Sequence, residues 1–369
     1  MSGGTLKIGL THARIPSLDG LRAASIIMVL LGHLEGTRSF PKLQVHRWLG
    51  DMAHLGVLVF FVISGFLITS LLMGERQKTG ATSLPKFYLR RVLRIFPAFY
   101  AFILMMIVAS HLGWIRLSGS DILHALTYTV NYDPHRSWII GHLWSLSIEE
   151  QFYLLWPLLF MVSRKYGALT VALIAFALGP LVRCAMHLVF PPHSPWRDLE
   201  VFPAMADAVA IGCIFALLRP WLLSRAWYSR LTANRWSLLA IPLVLLINRL
   251  LDYTVVDLFC SPVMLVCLAA LIESSTRHET SWLGRFLNWR PVAYVGLLSY
   301  SLYLWQQPFL DRHSDAVLTA FPQNILLTVV AATLSYHLVE KSFLSMRRKI
   351  ERGGPPPARK ATAEMKSAE

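Results

Sequence analysis

Cysteine is scarce. The chain has four in 369 residues, Cys184, Cys213, Cys260 and Cys267, each inside an apolar run and none in a CxxC or Cys/His ligand spacing. That pattern gives no case for a zinc module, any other metal site or a disulfide framework, and leaves the four as small core residues. Acidic residues are also few, 21 Asp and Glu against 35 Lys and Arg, for a net charge of +14. Such an excess suggests nucleic acid, but the cations are spread between apolar runs rather than gathered on one soluble face. Membrane topology explains them better, and no nucleic-acid partner is expected. The first twenty residues, MSGGTLKIGLTHARIPSLDG, lack a small-residue cleavage site behind a short apolar region, so no removable signal peptide is expected. No internal repeat stands out, and no soluble catalytic domain is expected at either end.

What the sequence has is apolar length. Hydrophobic residues make up 55% of the chain and the mean hydropathy is +0.49, values that point to a polytopic membrane protein. The expected fold is all-α, an integral membrane bundle of about ten transmembrane helices. The spans fall near 16–34, 55–74, 95–113, 142–162, 168–189, 203–218, 237–250, 255–272, 292–310 and 322–343, the seventh being short. Most Lys and Arg lie on the cytoplasmic side if both termini are inside the cell, which favours that orientation in the cytoplasmic (inner) membrane. Residues 1–346 form the expected membrane domain. Residues 347–369, RRKIERGGPPPARKATAEMKSAE, are basic and rich in Pro and Gly, and read as a disordered cytoplasmic tail lying against anionic membrane lipids. Trp114, Tyr128, Tyr132 and Trp138 in the outer segment 114–141 read first as interfacial aromatics. Pro157, Pro180, Gly212 and Gly296 inside spans fit kinks or close helix packing.

Polar groups within the spans carry the functional reading. In IPSLDGLRAASIIMVLLGHL, from Ile15, Arg22 and His33 stand eleven residues apart, about 16 Å along a helix. A histidine near mid-depth in a membrane is costly without a partner, so His33 is a candidate general base. In HLWSLSIEEQFYLLWP, from His142, the residues His142, Ser145, Glu149 and Glu150 head the fourth span. His142 and Glu149, close to two turns apart, share one polar stripe. Counted inward from the outer end, Glu149 comes to a depth like that of His33, and the two are expected to pair, the carboxylate fixing the imidazole. Glu150 reads equally well as a hydrated helix end. In FYLRRVLRIFPAFY, from Phe87, three arginines and no lysine, Arg90, Arg91 and Arg94, suit bidentate grip on a polyphosphate better than anchoring alone does. Asp207, a few residues into its span, either pairs with a basic group or lines a polar path. His142, Ser145, Glu150 and Asp207 make up the candidate substrate-binding set.

These segments together resemble the membrane acyltransferase family 3. The matching blocks are SLDGLRAASIIMVLLGH with its Arg-x10-His, FFVISGFLIT from Phe60, RRVLRIFP from Arg90, LWSLSIEEQFYLLWP from Leu143, ADAVAIG from Ala206 and LLSYSLYLWQQP from Leu297. The resemblance implies transfer of an acyl group, usually acetyl, from cytoplasmic acyl-coenzyme A (acyl-CoA) to a hydroxyl of an outer carbohydrate acceptor. It implies that Arg22 and His33 are the essential pair, with His33 as base or acyl relay. Arg91 and Arg94 would face the coenzyme, with Arg22 and Arg90 beside them, and Glu149, matching the family's acidic residue after WSL, would be the catalytic carboxylate that orients His33. Larger members add an extracytoplasmic domain, so either the bundle completes the transfer or a separate extracytoplasmic partner protein does. The competing function is a transporter or flippase of a glycan or lipid-linked precursor.

Overall fold

The apolar runs fold into helices, because backbone polar groups in an apolar surrounding are best satisfied within the segment. In the computed structural model the described residues are 17–163, 167–233, 239–250 and 260–352, and among them there is no β-strand. The principal helices are α1 (Leu18–Leu34), α2 (Met52–Thr79), α3 (Leu84–His111), α4 (Leu143–Val162), α5 (Gly167–Val189), α6 (Phe202–Leu223), α7 (Ala240–Leu250), α8 (Ser261–Arg277), α9 (Arg290–Gln306), α10 (Gln323–Ser335) and α11 (Lys341–Arg352). Each expected span falls on a helix. The starts of the first, seventh and eighth spans, the amino-terminal segment and residues 353–369 lie outside the described residues.

Among the described residues four helices, α2, α3, α5 and α6, are long and apolar enough to cross a membrane. The other expected spans fall short for identifiable reasons. Helices α1, α8 and α9 have 17 residues each, about 26 Å of rise against a hydrocarbon core of about 30 Å. Helix α4 is long enough at 20 residues, but Glu149, Glu150 and Gln151 interrupt its apolar face. The chain is a multi-pass membrane protein by these helices.

Helix α2 packs on α1 and α6, α6 on α5, and α1 on α9. The α2–α6 contact depends on two glycines. A Cβ on Gly65 would meet the Val209 carbonyl, and one on Gly212 the Val62 carbonyl. Gly296 on α9 likewise lies against the backbone of Asp19 on α1. The expectation of close packing at Gly212 and Gly296 therefore holds.

Two departures matter for the site. First, α4 does not begin at an outer surface. The preceding segment folds inward through the short helix Trp138–Gly141, and His142, the residue before α4, is 2% exposed. Second, the first six residues assigned to a disordered tail, 347–352, continue α11, which follows α10 through a π-helical turn at Tyr336–Glu340. Phe343, Met346 and Ile350 recur at helical spacing among the cations, giving this stretch the amphipathic order that a tail of polar composition lacks.

Candidate active site

Five helices enclose a cavity with about 790 Å³ of space free of atoms, its open mouth included. Arg22 of α1, Ser64 of α2, Arg91 and Arg94 of α3, Ser145, Glu149, Glu150 and Tyr153 of α4, and Ser299, Tyr300 and Tyr303 of α9 line it, with apolar walls from Phe60, Phe61 and Ile95. Residues 145, 149 and 153 repeat every four positions, so α4 presents them as one stripe. Ser64 donates to Glu149 Oε1 at 2.8 Å and the Tyr153 hydroxyl donates to Oε2 at 3.2 Å. The Arg91 guanidinium lies 4.6 Å from the centre of the Tyr153 ring, a cation–π contact. Arg22 is also held by Asp19 at 3.2 Å. Arg22, Arg91 and Arg94 interact electrostatically with one another, and Arg347 of α11 adds a fourth cation acting on Arg94. Polar groups are rare in an apolar bundle unless they serve a ligand or path. A cavity with three guanidiniums on its wall and a fourth close by suits a phosphorylated ligand.

His33 lies at the other end of α1. Its Nδ1–H donates to Gln306 Oε1 at 2.6 Å, and its ring makes a T-shaped contact with Trp138, centroids 5.6 Å apart. Because the Gln306 oxygen can only accept, Nδ1 carries the proton and Nε2 of the neutral ring keeps a lone pair. On the cavity wall, the hydroxyls of Ser145 and Tyr303 approach to 2.5 Å. Tyr303 also donates to the His142 carbonyl at 2.9 Å.

The expected His33–Glu149 pair does not form, since each side chain is bonded elsewhere. Depth counted from the start of α4 misplaces Glu149, because that start is already buried against α9 and Gln307. Glu149 instead shares the cavity with Arg22 and Arg91, and Glu150 lines it too rather than pointing to water. Three other candidates lie outside the cavity. Arg90 forms an ion pair with Glu75 at 3.1 Å. The His142 ring donates through Nε2 to the Leu304 carbonyl at 3.1 Å, and its backbone N–H donates to Gln307 at 3.0 Å. Asp207, 1% exposed, takes two hydrogen bonds from Arg183, at 2.7 and 3.1 Å, so it joins α5 to α6. Of the two readings for Asp207, pairing within the bundle is the one observed.

Sequence reasoning passed over Ser64, Tyr153, Tyr303, Gln306, Glu340 and Arg347. Gln306 and Gln307 stand out in hindsight as paired amides at the end of the apolar run LLSYSLYLWQQP, and both are buried. Glu340 accepts from Ser301 on α9 and lies close enough to Arg94 to interact with it. The π-helical turn brings Glu340 to that position, and nothing in the local sequence marks it.

Comparison with known proteins bears on this arrangement. A family profile described as an acyltransferase domain matches residues 15–339. The chain is 27% identical to the peptidoglycan O-acetyltransferase OatA of Listeria monocytogenes, with 92% of this chain aligned to 56% of that protein. It is 29% identical to a Bacillus subtilis protein provisionally named peptidoglycan O-acetyltransferase YrhL, over 92% of this chain and 57% of that one. A Staphylococcus aureus protein provisionally named an O-acetyltransferase is 30% identical, over 89% and 57%. The chain thus spans little more than half the length of these relatives. No solved structure is significantly similar to it. With the profile covering all but the ends of the sequence, the chain belongs to the membrane acyltransferase family 3.

Proposed function

We propose that this chain is an O-acyltransferase of the cytoplasmic membrane, with both termini inside the cell. It takes an acyl group, acetyl in the simplest case, from cytoplasmic acyl-CoA and delivers it to a hydroxyl of an outer carbohydrate. One observation carries the reading: a single helix, α1, holds Arg22 in an arginine-lined cavity and His33 near its opposite end, about 16 Å away. Coenzyme A has the same polarity, phosphates at one end and a thioester at the end of a long pantetheine arm. Arg22, Arg91 and Arg94 would hold the phosphates, and the arm would pass Ser145 and Tyr303 to bring the thioester to His33.

The chemistry at His33 follows from its tautomer. Nε2 takes the proton of the acceptor hydroxyl as that oxygen bonds to the thioester carbonyl carbon. The carbon–sulfur bond then breaks, and the coenzyme thiolate leaves with the proton returned by the imidazolium. No metal enters this scheme. The names of the relatives from Listeria and Bacillus make a peptidoglycan or related surface glycan the first acceptor class to try, with or without a separate extracytoplasmic partner.

The test is release of free coenzyme A by the purified protein supplied with acetyl-CoA and glycan fragments. The reading expects release that depends on the protein and acetyl groups that appear on the glycan as esters. A transporter or flippase would give neither, and that result would overturn the reading.

A further inference from the structure

The surroundings of His33 contain two groups that the transfer scheme leaves unused. Gln306 is completely buried and spends its carbonyl oxygen on His33, yet its amide nitrogen has no hydrogen-bond partner. The two amide atoms share one carbon, so that unused N–H lies beside the imidazole. Trp138, whose ring touches His33, has a buried indole N–H that is also unpaired. Buried donors are nearly always satisfied, and an exception asks for an explanation. Here two exceptions border one imidazole. Both are neutral N–H donors that cannot accept, so they suit an oxygen and would not hold a cation.

We infer that Gln306 and Trp138 form an oxygen-binding subsite beside His33, which takes the carbonyl oxygen of the acyl group as it becomes an oxyanion. The inference rests on the acyl-transfer reading above. When the acceptor oxygen adds to the thioester carbon, the carbonyl electron pair moves onto oxygen, and the negative charge appears within reach of the base. Fixed donors at that point stabilise the transition state more than the ground state. Gln306 then has two tasks through one amide group, fixing the tautomer of His33 with Oε1 and holding the oxyanion with Nε2. Both donors are covered in this structure. Arg312, an exposed side chain, lies 5.0 Å from the Trp138 ring and donates to the Gly32 carbonyl at 3.3 Å.

The experiment compares Trp138→Phe, Gln306→Glu and His33→Ala in the full chain, measuring acetyl transfer from acetyl-CoA and coenzyme A binding. Trp138→Phe keeps the ring and removes the donor. It is expected to lower kcat at least tenfold, with unchanged KM for acetyl-CoA and unchanged coenzyme A affinity. Gln306→Glu keeps an acceptor for Nδ1–H and puts a negative charge where the oxyanion forms. Its kcat should fall about 10² to 10³-fold, as for loss of one oxyanion-hole donor. The pH midpoint of its rate should also rise, since a carboxylate favours the imidazolium. Trp138→Phe decides the matter if Gln306→Glu fails to fold. Normal kcat in Trp138→Phe and in any folded Gln306→Glu, with His33→Ala inactive, would overturn the subsite alone. Wild-type transfer by His33→Ala would overturn the role of His33 as the base beside this subsite, and absence of transfer by the unaltered protein would overturn the acyl-transfer reading on which the subsite stands.

Discussion

Arg90, Arg91 and Arg94 occupy one turn of α3 and meet three different surroundings. Arg90 turns to Glu75, Arg91 lies on Tyr153, and Arg94 faces the cavity near Arg22 and Arg347. A charge-assisted contact to phosphate contributes about 1.5–3 kcal/mol, whereas a partly exposed ion pair is worth about 0–1 kcal/mol. Arg91→Ala and Arg94→Ala should therefore each raise the KM for acyl-CoA roughly ten- to a hundredfold, and Arg90→Ala should leave it within about twofold. Steady-state kinetics on the three variants checks this. An unchanged KM in both Arg91→Ala and Arg94→Ala would mean that the stretch serves as membrane anchoring. The motif RRxxR is legible in the sequence as an anion grip, but which arginines take part is not. That depends on the phase of α3 against α4 and α9, a tertiary quantity. The same limit explains Glu149, whose carboxylate was legible while its partners, Ser64 and Tyr153, were not. Gln306 was harder still, because a neutral amide leaves no mark in a charge pattern.

Among the elements, the α2–α6 contact is the one where the backbone itself is the packing surface. Gly65 and Gly212 let the two helices approach until each faces a carbonyl of the other. Adding a methyl forces the backbones apart, and overpacking of this kind costs about 1–3 kcal/mol. Gly65→Ala and Gly212→Ala should each lower the Tm of the purified protein. Gly119→Ala should leave it unchanged, because a Cβ there meets nothing within 4 Å. Unchanged Tm in the first two variants would show that the helices can part at little cost. Periodicity and apolar length located every helix on which an expected span falls, and Gly212 and Gly296, though not Gly65, marked close crossings in advance. Two element-level readings went wrong for physical reasons. Composition made 347–352 a disordered tail, although Phe343, Met346 and Ile350 support a continuation of α11 that carries Arg347 toward α3. Depth counting takes α4 to start at the outer surface, although His142, the residue before it, is buried and bonded to Leu304 and Gln307.

At the scale of the whole molecule, the bundle separates two kinds of polar group along α1. Arginines and carboxylates gather around Arg22, while the Gln306 amide and the Trp138 ring meet His33. Such a division suits a donor held by its charged end and reacting at its other end. Coenzyme binding and acyl transfer should accordingly be separable by mutation. The direct measurement is coenzyme A affinity and acetyl transfer side by side for His33→Ala and Arg94→Ala in the purified protein. The account predicts that His33→Ala binds coenzyme A as the wild type does and transfers nothing, while Arg94→Ala binds at least tenfold more weakly. Loss of coenzyme A binding in His33→Ala, or transfer retained by it, would contradict the account.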